Sequence, residues 1–254
     1  MIPKQSTIDE IITSESELFY VAEKKYGDYF VNSFKFNGLL QNFTVSVDAS
    51  RHVFAAFLSQ VRKHLTLALF SAVRLHHTQA MMNLRQVLEA GAFAAYAIAN
   101  PDKENFVEKR EDGYLDAPQG LIVQRYKWLE ENYPEGQKPM KQFKDIINQT
   151  TAHSNLIYAY NNFYFNEETG KFETPFFDIG NERLVKTDLW QIGNVAMGLM
   201  DLFYGVDKKI GSIKFVDNFI PHLKNLEVEN KRLGKEMKTI LDERIKKHTI
   251  NKPK

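Results

Sequence analysis

The chain has 254 residues, a formal net charge of +1 and no cysteine. That length suffices for one large domain, and the balanced charge creates no overall field that would draw the protein to nucleic acid or to an anionic membrane. The absence of cysteine excludes disulfides, thiolate zinc sites and thiol catalysis. No apolar run reaches the roughly 18 residues of a membrane span, and the first residues lack a secretory pattern, so we expect a cytoplasmic protein.

The first half of the chain predicts long helices, because apolar residues recur three and four apart. Asp48 is a favourable N-cap for the second of them, and Pro101 follows the end of the third. The predicted elements are, in order, a helix over 14–38, an extended segment over 39–47, a helix from about 49 to a bend near 71–76, and a helix over 77–99.

The second half predicts shorter elements and one change of character. Aromatic residues flank a turn that contains Gly170, which is typical of a β-hairpin. Pro139 is suited to the first position of a helix. The predicted elements are a polar loop over 101–118, a helix over 119–132, a helix opened by Pro139, a hairpin insert over about 157–177, a helix over 184–204 and a last amphipathic helix over about 213–248, with 219 as the alternative start.

Together these elements predict a mostly α fold. We expect a single helical domain over 1–254, with a core bundle over about 50–204. The bundle should hold about six to seven helices, with one small β-hairpin insert.

The most informative residues are Arg85 and Glu89, four positions apart in the most apolar stretch of the chain. From Val87 to Ala99, Glu89 is the only formal charge. A helix that is apolar on all sides is buried, so we expect this pair to be mostly buried and paired. Tyr96 lies on the same helical stripe. The stripe is either a ligand or phosphate pocket around Arg85 or an intrahelical ion pair that fixes packing.

Histidines near two helix ends supply further candidates. Arg74 and His77 lie at the bend before the third helix, and His153 lies near the end of the helix opened by Pro139, one turn after Gln149. His153 is either a packed or capping residue or a general acid or base. No histidine follows a glutamate in the Glu-x-x-His spacing of a helical metal site, so we expect no metal and no cofactor.

Two short motifs resemble the HEPN superfamily, in particular its uncharacterised bacterial members. They are Leu84-Arg85-Gln86-Val87-Leu88-Glu89 and, on a later helix, Asn148-Gln149-Thr150-Thr151-Ala152-His153-Ser154. The resemblance covers roughly 50–160. It implies an all-α bundle, usually a homodimer. Its members include metal-independent ribonucleases and non-catalytic nucleotide- or RNA-associated proteins of toxin–antitoxin and phage-defence systems.

The family's ribonuclease motif is an arginine followed, after four to six residues, by a histidine. The positions that should hold this arginine before His153 are Ile146, Ile147 and Asn148. The resemblance therefore implies that His153 is a catalytic candidate, although the arginine of the motif is missing from its helix. Arg85 or Arg74, on another helix, would have to take the place of that arginine. The resemblance implies an RNA- or nucleotide-associated protein without robust catalysis. The alternatives are a metal-independent endoribonuclease and a non-catalytic dimeric scaffold.

The last helix carries a seam of apolar residues three and four apart, with Asn230 within it. A polar residue in such a seam commonly sets the register of a coiled coil. The seam predicts packing on the protein's own bundle, coiled-coil dimerisation or, through its basic face, contact with RNA.

Overall fold

A computed structural model describes residues 7–151, 156–160, 163–178 and 181–250, without the side chains of Thr150, Ile157, Tyr158 and 240–250. Its described part is a bundle of α-helices with three two-stranded sheets, which confirms the predicted fold class. The helices are α1 (Ile8–Tyr20), α2 (Ala22–Tyr26), α3 (Asp28–Asn42), α4 (His52–Val73), α5 (His77–Ala99), α6 (Gln119–Asn132), α7 (Pro134–Thr150), α8 (Leu156–Ala159), α9 (Glu182–Asp207) and α10 (Phe219–Ile250). The strands are β1 (Thr44–Val47), β2 (Glu108–Lys109), β3 (Leu115–Asp116), β4 (Tyr164–Asn166), β5 (Lys171–Glu173) and β6 (Ile213–Phe215).

The N-terminal region is broken into three helices where the sequence predicts one over 14–38. The first helix begins earlier than predicted, because Thr7 and Glu10 form a reciprocal capping box at its start. The chain then turns at Gly27, whose φ of 54° lies in the left-handed region that glycine adopts at little cost. The turn lets α3 pack against α9, so the core extends before residue 50.

The centre of the fold is the antiparallel pair α4 and α5, covered by α9. Their boundary matches the predicted bend, and Leu75 makes the turn with a φ of 62°. Close approach of α5 and α9 depends on Gly91, since a Cβ there would lie 2.8 Å from Cδ1 of Leu199. Asp48 caps a short 3₁₀ turn, Ala49–Arg51, that leads into α4.

Helices α6 and α7 form a second layer on α5. The prediction that Pro139 opens the second of these helices is wrong, because α7 begins at Pro134 and Pro139 lies inside it. Proline is favoured at the first helical position because its missing N–H has no partner there. Because Pro139 has no backbone N–H, the carbonyl of Glu135 lacks the helical hydrogen bond that it would otherwise accept. The helix nevertheless continues to Thr150.

The hairpin predicted within 157–177 is confirmed as β4 and β5, paired antiparallel from Tyr164↔Glu173 to Asn166↔Lys171. The extended segment predicted over 39–47 is shorter than expected, since α3 continues to Asn42. Its last four residues form β1, which pairs with β6 and ties the start of α4 to the segment before α10.

The apolar seam of α10 packs on the protein's own bundle. Leu223, Asn230 and Leu233 are buried, and the helix lies against α3 and α9. The amide of Asn32 donates a hydrogen bond of 3.1 Å to Oδ1 of Asn230. The described seam is therefore occupied within one chain, which favours the first of the three interpretations of this helix. No helix among the described residues is both long and apolar enough to span a membrane.

Candidate functional site

Helix α5 carries four of the predicted site residues, and the structure distributes them over three places. Arg85 and Glu89 face α7, His77 lies at the start of the helix against α9, and Tyr96 is buried against α6. The eight residues from His77 to Arg85 correspond to about 12 Å along the helix axis. One site that contains all of the predicted residues is therefore not formed.

Arg85 and Glu89 are paired as predicted, with 3.4 Å between Nε of the arginine and Oε1 of the glutamate. Both side chains are half-buried, at 31% and 27% exposed, so the expectation that they are mostly buried is met only in part. Apolar neighbours on α5 face α4 and α9, whereas α6 and α7 cover the Arg85 stripe only in part. The pair lies at the edge of the bundle, where solvent and small molecules can approach.

A third charged residue, Lys144 of α7, completes this cluster. Its Nζ lies 3.1 Å from Oε1 of Glu89 and donates a hydrogen bond of 3.1 Å to the Tyr126 hydroxyl. Partial burial lowers the pKa of the Lys144 ammonium, but Tyr126 and Glu89 outweigh it, and the pKa is raised above its usual value. Burial raises the pKa of Tyr126, so the phenol stays protonated. One carboxylate thus faces two cations, which leaves a surplus positive charge.

A cavity of about 500 Å³ opens beside this cluster, between α5, α6 and α7. Lys144 and Tyr126 belong to both the cluster and the cavity wall. The apolar wall is formed by Leu88, Ala92, Ile122, Val123, Leu129 and Met140. The remaining polar lining consists of Gln119, Lys127, Glu130, Gln137, Lys141 and Asp145. The cavity therefore offers an apolar interior with a charged rim, an arrangement that small-molecule sites share.

His77 forms a second polar cluster, which is buried. Its ring Nδ1 lies 2.8 Å from Oδ2 of Asp188, and its backbone N–H donates a 2.6 Å hydrogen bond to Asp178. Burial lowers the pKa of His77, but Asp188 and Asp178 outweigh it, so the pKa is raised. Burial also raises the pKa of the Asp188 carboxyl. His77 is only 7% exposed, which places it in a packing role and away from the cavity.

Arg74 and Tyr96 also lie away from the cavity. Arg74 is 3.9 Å from Glu15 of α1 and stacks over the Phe70 ring, which ties α1 to the end of α4. Tyr96 is 3% exposed, and its ring packs edge-on against Trp128 with centroids 5.3 Å apart. Neither residue lines the cavity, and their predicted ligand contacts stay a prediction.

The remaining predicted residues are Gln149 and His153. Gln149 is exposed and lies outside the cavity lining. His153 lies outside the described residues, so its predicted proximity to Arg85 stays a prediction.

Sequence reasoning missed the residues that surround Arg85 in space. Lys144, Tyr126 and Gln137 come from α6 and α7, and no local motif marks them. The spacing of Gln137, Lys141 and Lys144 does place all three on one helical face, which is the one signal the sequence offered.

Within 7–151, 156–160, 163–178 and 181–250, no three histidine or carboxylate residues form a metal-binding group. Comparison of the chain with family models, curated proteins and solved structures finds no match.

Proposed function

We propose that this protein binds a small anionic ligand of the nucleotide class in the cavity between α5, α6 and α7, as a HEPN-like nucleotide- or RNA-associated protein without robust catalysis. The observation that carries the proposal is the surplus positive charge at an apolar cavity. Among the described residues, Glu89 is the carboxylate that pairs with both Arg85 and Lys144. A phosphate group would balance that charge, and the apolar wall would cover a ring system.

The size and lining of the cavity support this ligand class. Pockets for drug-sized ligands and cofactors range over about 300–1,000 Å³, and the cavity here is about 500 Å³. A mononucleotide combines an anionic end with a flat ring, so it matches both parts of the lining. A purely apolar ligand would leave the ammonium of Lys144 against an uncharged surface.

Binding is favoured over cleavage by the chemistry of the described lining. Phosphodiester cleavage without a metal needs a proton carrier and a cation that holds the developing charge. The lining contains no histidine among the described residues. Arg85 lies outside the cavity lining and pairs with Glu89. The roles of homodimer and of component of a defence or toxin–antitoxin system follow from the family resemblance and form part of the same proposal.

Calorimetric titration with adenosine 5′-monophosphate (AMP) tests the proposal. The wild-type protein should bind AMP, and Lys144→Gln should weaken binding by about ten- to a hundredfold, because a charge-assisted contact to phosphate is worth about 1.5–3 kcal/mol. Lys186→Gln removes a lysine of α9 that pairs with Glu182 and serves as the charge-matched control. Undetectable AMP binding by the wild type, or equal losses in both variants, would refute the cavity as an anion site.

Incubation with single-stranded RNA in the absence of metal separates the binding role from the ribonuclease alternative. We expect no cleavage. Cleavage that disappears in both His153→Ala and Arg85→Ala would establish the ribonuclease alternative in its place.

A further inference from the structure

We infer that Gln137 is the specificity-determining residue of the cavity and reads the hydrogen-bonding edge of a nucleobase while Lys144 holds the phosphate. This inference rests on the proposed nucleotide-binding function. It adds the class of ligand that the site selects, a nucleoside monophosphate whose base carries a donor next to an acceptor.

The first observation is the unusual environment of Gln137. The residue is only 5% exposed, yet it lines the cavity. Its side-chain amide makes no hydrogen bond to any described residue, and its polar atoms are not fully buried, so they are open to the cavity. A primary amide offers a ligand two donors and one acceptor. A ligand in the cavity would supply the partners that the protein does not.

The second observation is the position of Gln137 relative to Lys144. Both residues are on α7 and both line the cavity. They are seven residues apart, which places them on one helical face about 10 Å from each other along the axis. Met140 and Lys141 lie between them on the same face. The cavity wall thus presents an amide end, a middle section with apolar contacts and a cationic end.

This spacing selects the ligand class. The separation is comparable to the length of a nucleoside monophosphate from the exocyclic group of its base to its phosphate. A glutamine amide can form two hydrogen bonds with adenine at once, since its oxygen accepts from N6 and its NH₂ donates to N7. A base that lacks the exocyclic amino group leaves the amide oxygen without a partner. Such unpaired groups are the strongest source of discrimination in a binding site.

The experiment compares AMP with purine riboside 5′-monophosphate, which lacks only the exocyclic amino group. Wild-type protein should bind AMP about three- to tenfold more tightly, as expected for one net hydrogen bond. In Gln137→Met, which keeps the size of the side chain but removes its polar atoms, the two affinities should become equal within about twofold. Met140→Leu changes an apolar residue of the same wall and should keep the wild-type ratio.

The outcomes separate the two proposals. Binding of AMP that depends on Lys144, with an unchanged ratio in Gln137→Met, overturns the role of Gln137 and leaves the cavity as a nucleotide site. Absence of binding of both ligands to the wild type overturns both proposals. Gln137→Leu provides a second polar-to-apolar variant, and far-ultraviolet circular dichroism verifies that each variant is folded. Loss of discrimination in both Gln137 variants, with discrimination kept in Met140→Leu, supports the inference.

Discussion

The substitution Glu89→Gln should lower stability and raise nucleotide affinity. Glutamine keeps the shape of the side chain and removes its charge. Oε1 of Glu89 lies 3.1 Å from Nζ of Lys144 and 3.4 Å from Nε of Arg85. Removing the charge of this one carboxylate therefore removes both ion pairs. It also increases the positive charge of the cluster by one. The lost ion pairs should lower the free energy of unfolding, whereas the added positive charge should raise the affinity for AMP.

The loss of stability follows from the exposure of the three side chains. They are 22–31% exposed, which is between a fully exposed pair, worth about 0.2–1 kcal/mol, and a buried pair, whose disruption costs about 3–5 kcal/mol. We expect the free energy of unfolding to fall by about 1–2 kcal/mol. In a protein of this size that lowers Tm by roughly 2–8 °C. A fully buried pair would lose more.

The gain in affinity follows from Coulomb's law. A unit charge a few ångströms from the ligand phosphate contributes about 1 kcal/mol in solvent-like surroundings and more in partly buried ones. Removing the repulsion of Glu89 should therefore tighten AMP binding by about fivefold. The gain should shrink at high salt, because the partly exposed charges are screened.

Differential scanning fluorimetry and calorimetric titration measure the two quantities on the same preparation. Glu227→Gln is the matched control, since it removes one carboxylate that pairs with Lys231 on the exposed face of α10. It should change Tm by less than about 2 °C and leave AMP affinity unchanged. If Glu89→Gln weakens AMP binding as Lys144→Gln does, Glu89 stabilises the ligand or the site, and the surplus-charge reasoning is refuted.

Three further predictions concern the scaffold. His77→Gln should destabilise the protein by about 3 kcal/mol near pH 6, since it leaves a buried carboxylate without its imidazole partner. Because folding raises the pKa of His77 above its usual value of 6.5, its stabilisation is fully present below that pH and is lost as the pH rises through the folded-state value. Gly91→Ala should destabilise by about 1–3 kcal/mol despite the better helix propensity of alanine, because its Cβ would meet Leu199. In a Leu199→Ala background the same change should be neutral or stabilising. Asn230→Ala should cost about 1–3 kcal/mol, since it removes a buried hydrogen bond, and should leave the oligomeric state unchanged.

Chemical denaturation measures these three effects, with size-exclusion chromatography for the Asn230 variant. The His77 prediction fails if the variant and the wild type lose stability in parallel between about pH 6 and pH 9. An equal cost of Gly91→Ala in both backgrounds would show that contact with Leu199 is not the cause. Dissociation of an oligomer by Asn230→Ala would show that the seam also contributes to association.

The fold was predictable because its strongest signals are local. The start and end of α5 agree with the sequence prediction, since Asn100 and Pro101 follow a long apolar helix. The break at Gly27 was missed because apolar residues continue with helical spacing on both sides of it. On α7, two neighbouring isoleucines differ in burial, since Ile147 is buried and Ile146 is 54% exposed. Periodicity alone does not show how wide a face the neighbouring helices cover.

Only the part of the candidate site that lies on α5 was predictable from the sequence. The charges of Arg85 and Glu89 stand out in an apolar sequence, and their pairing at four residues is a local property. Lys144 reaches Glu89 through the packing of α7 on α5, which no spacing in the sequence encodes. Placing the start of α7 at Pro139 also left Gln137 in a connector, without a helical register. Once the helix begins at Pro134, Gln137 and Lys144 fall on one face two turns apart, and the amide and the ammonium become the two ends of one cavity.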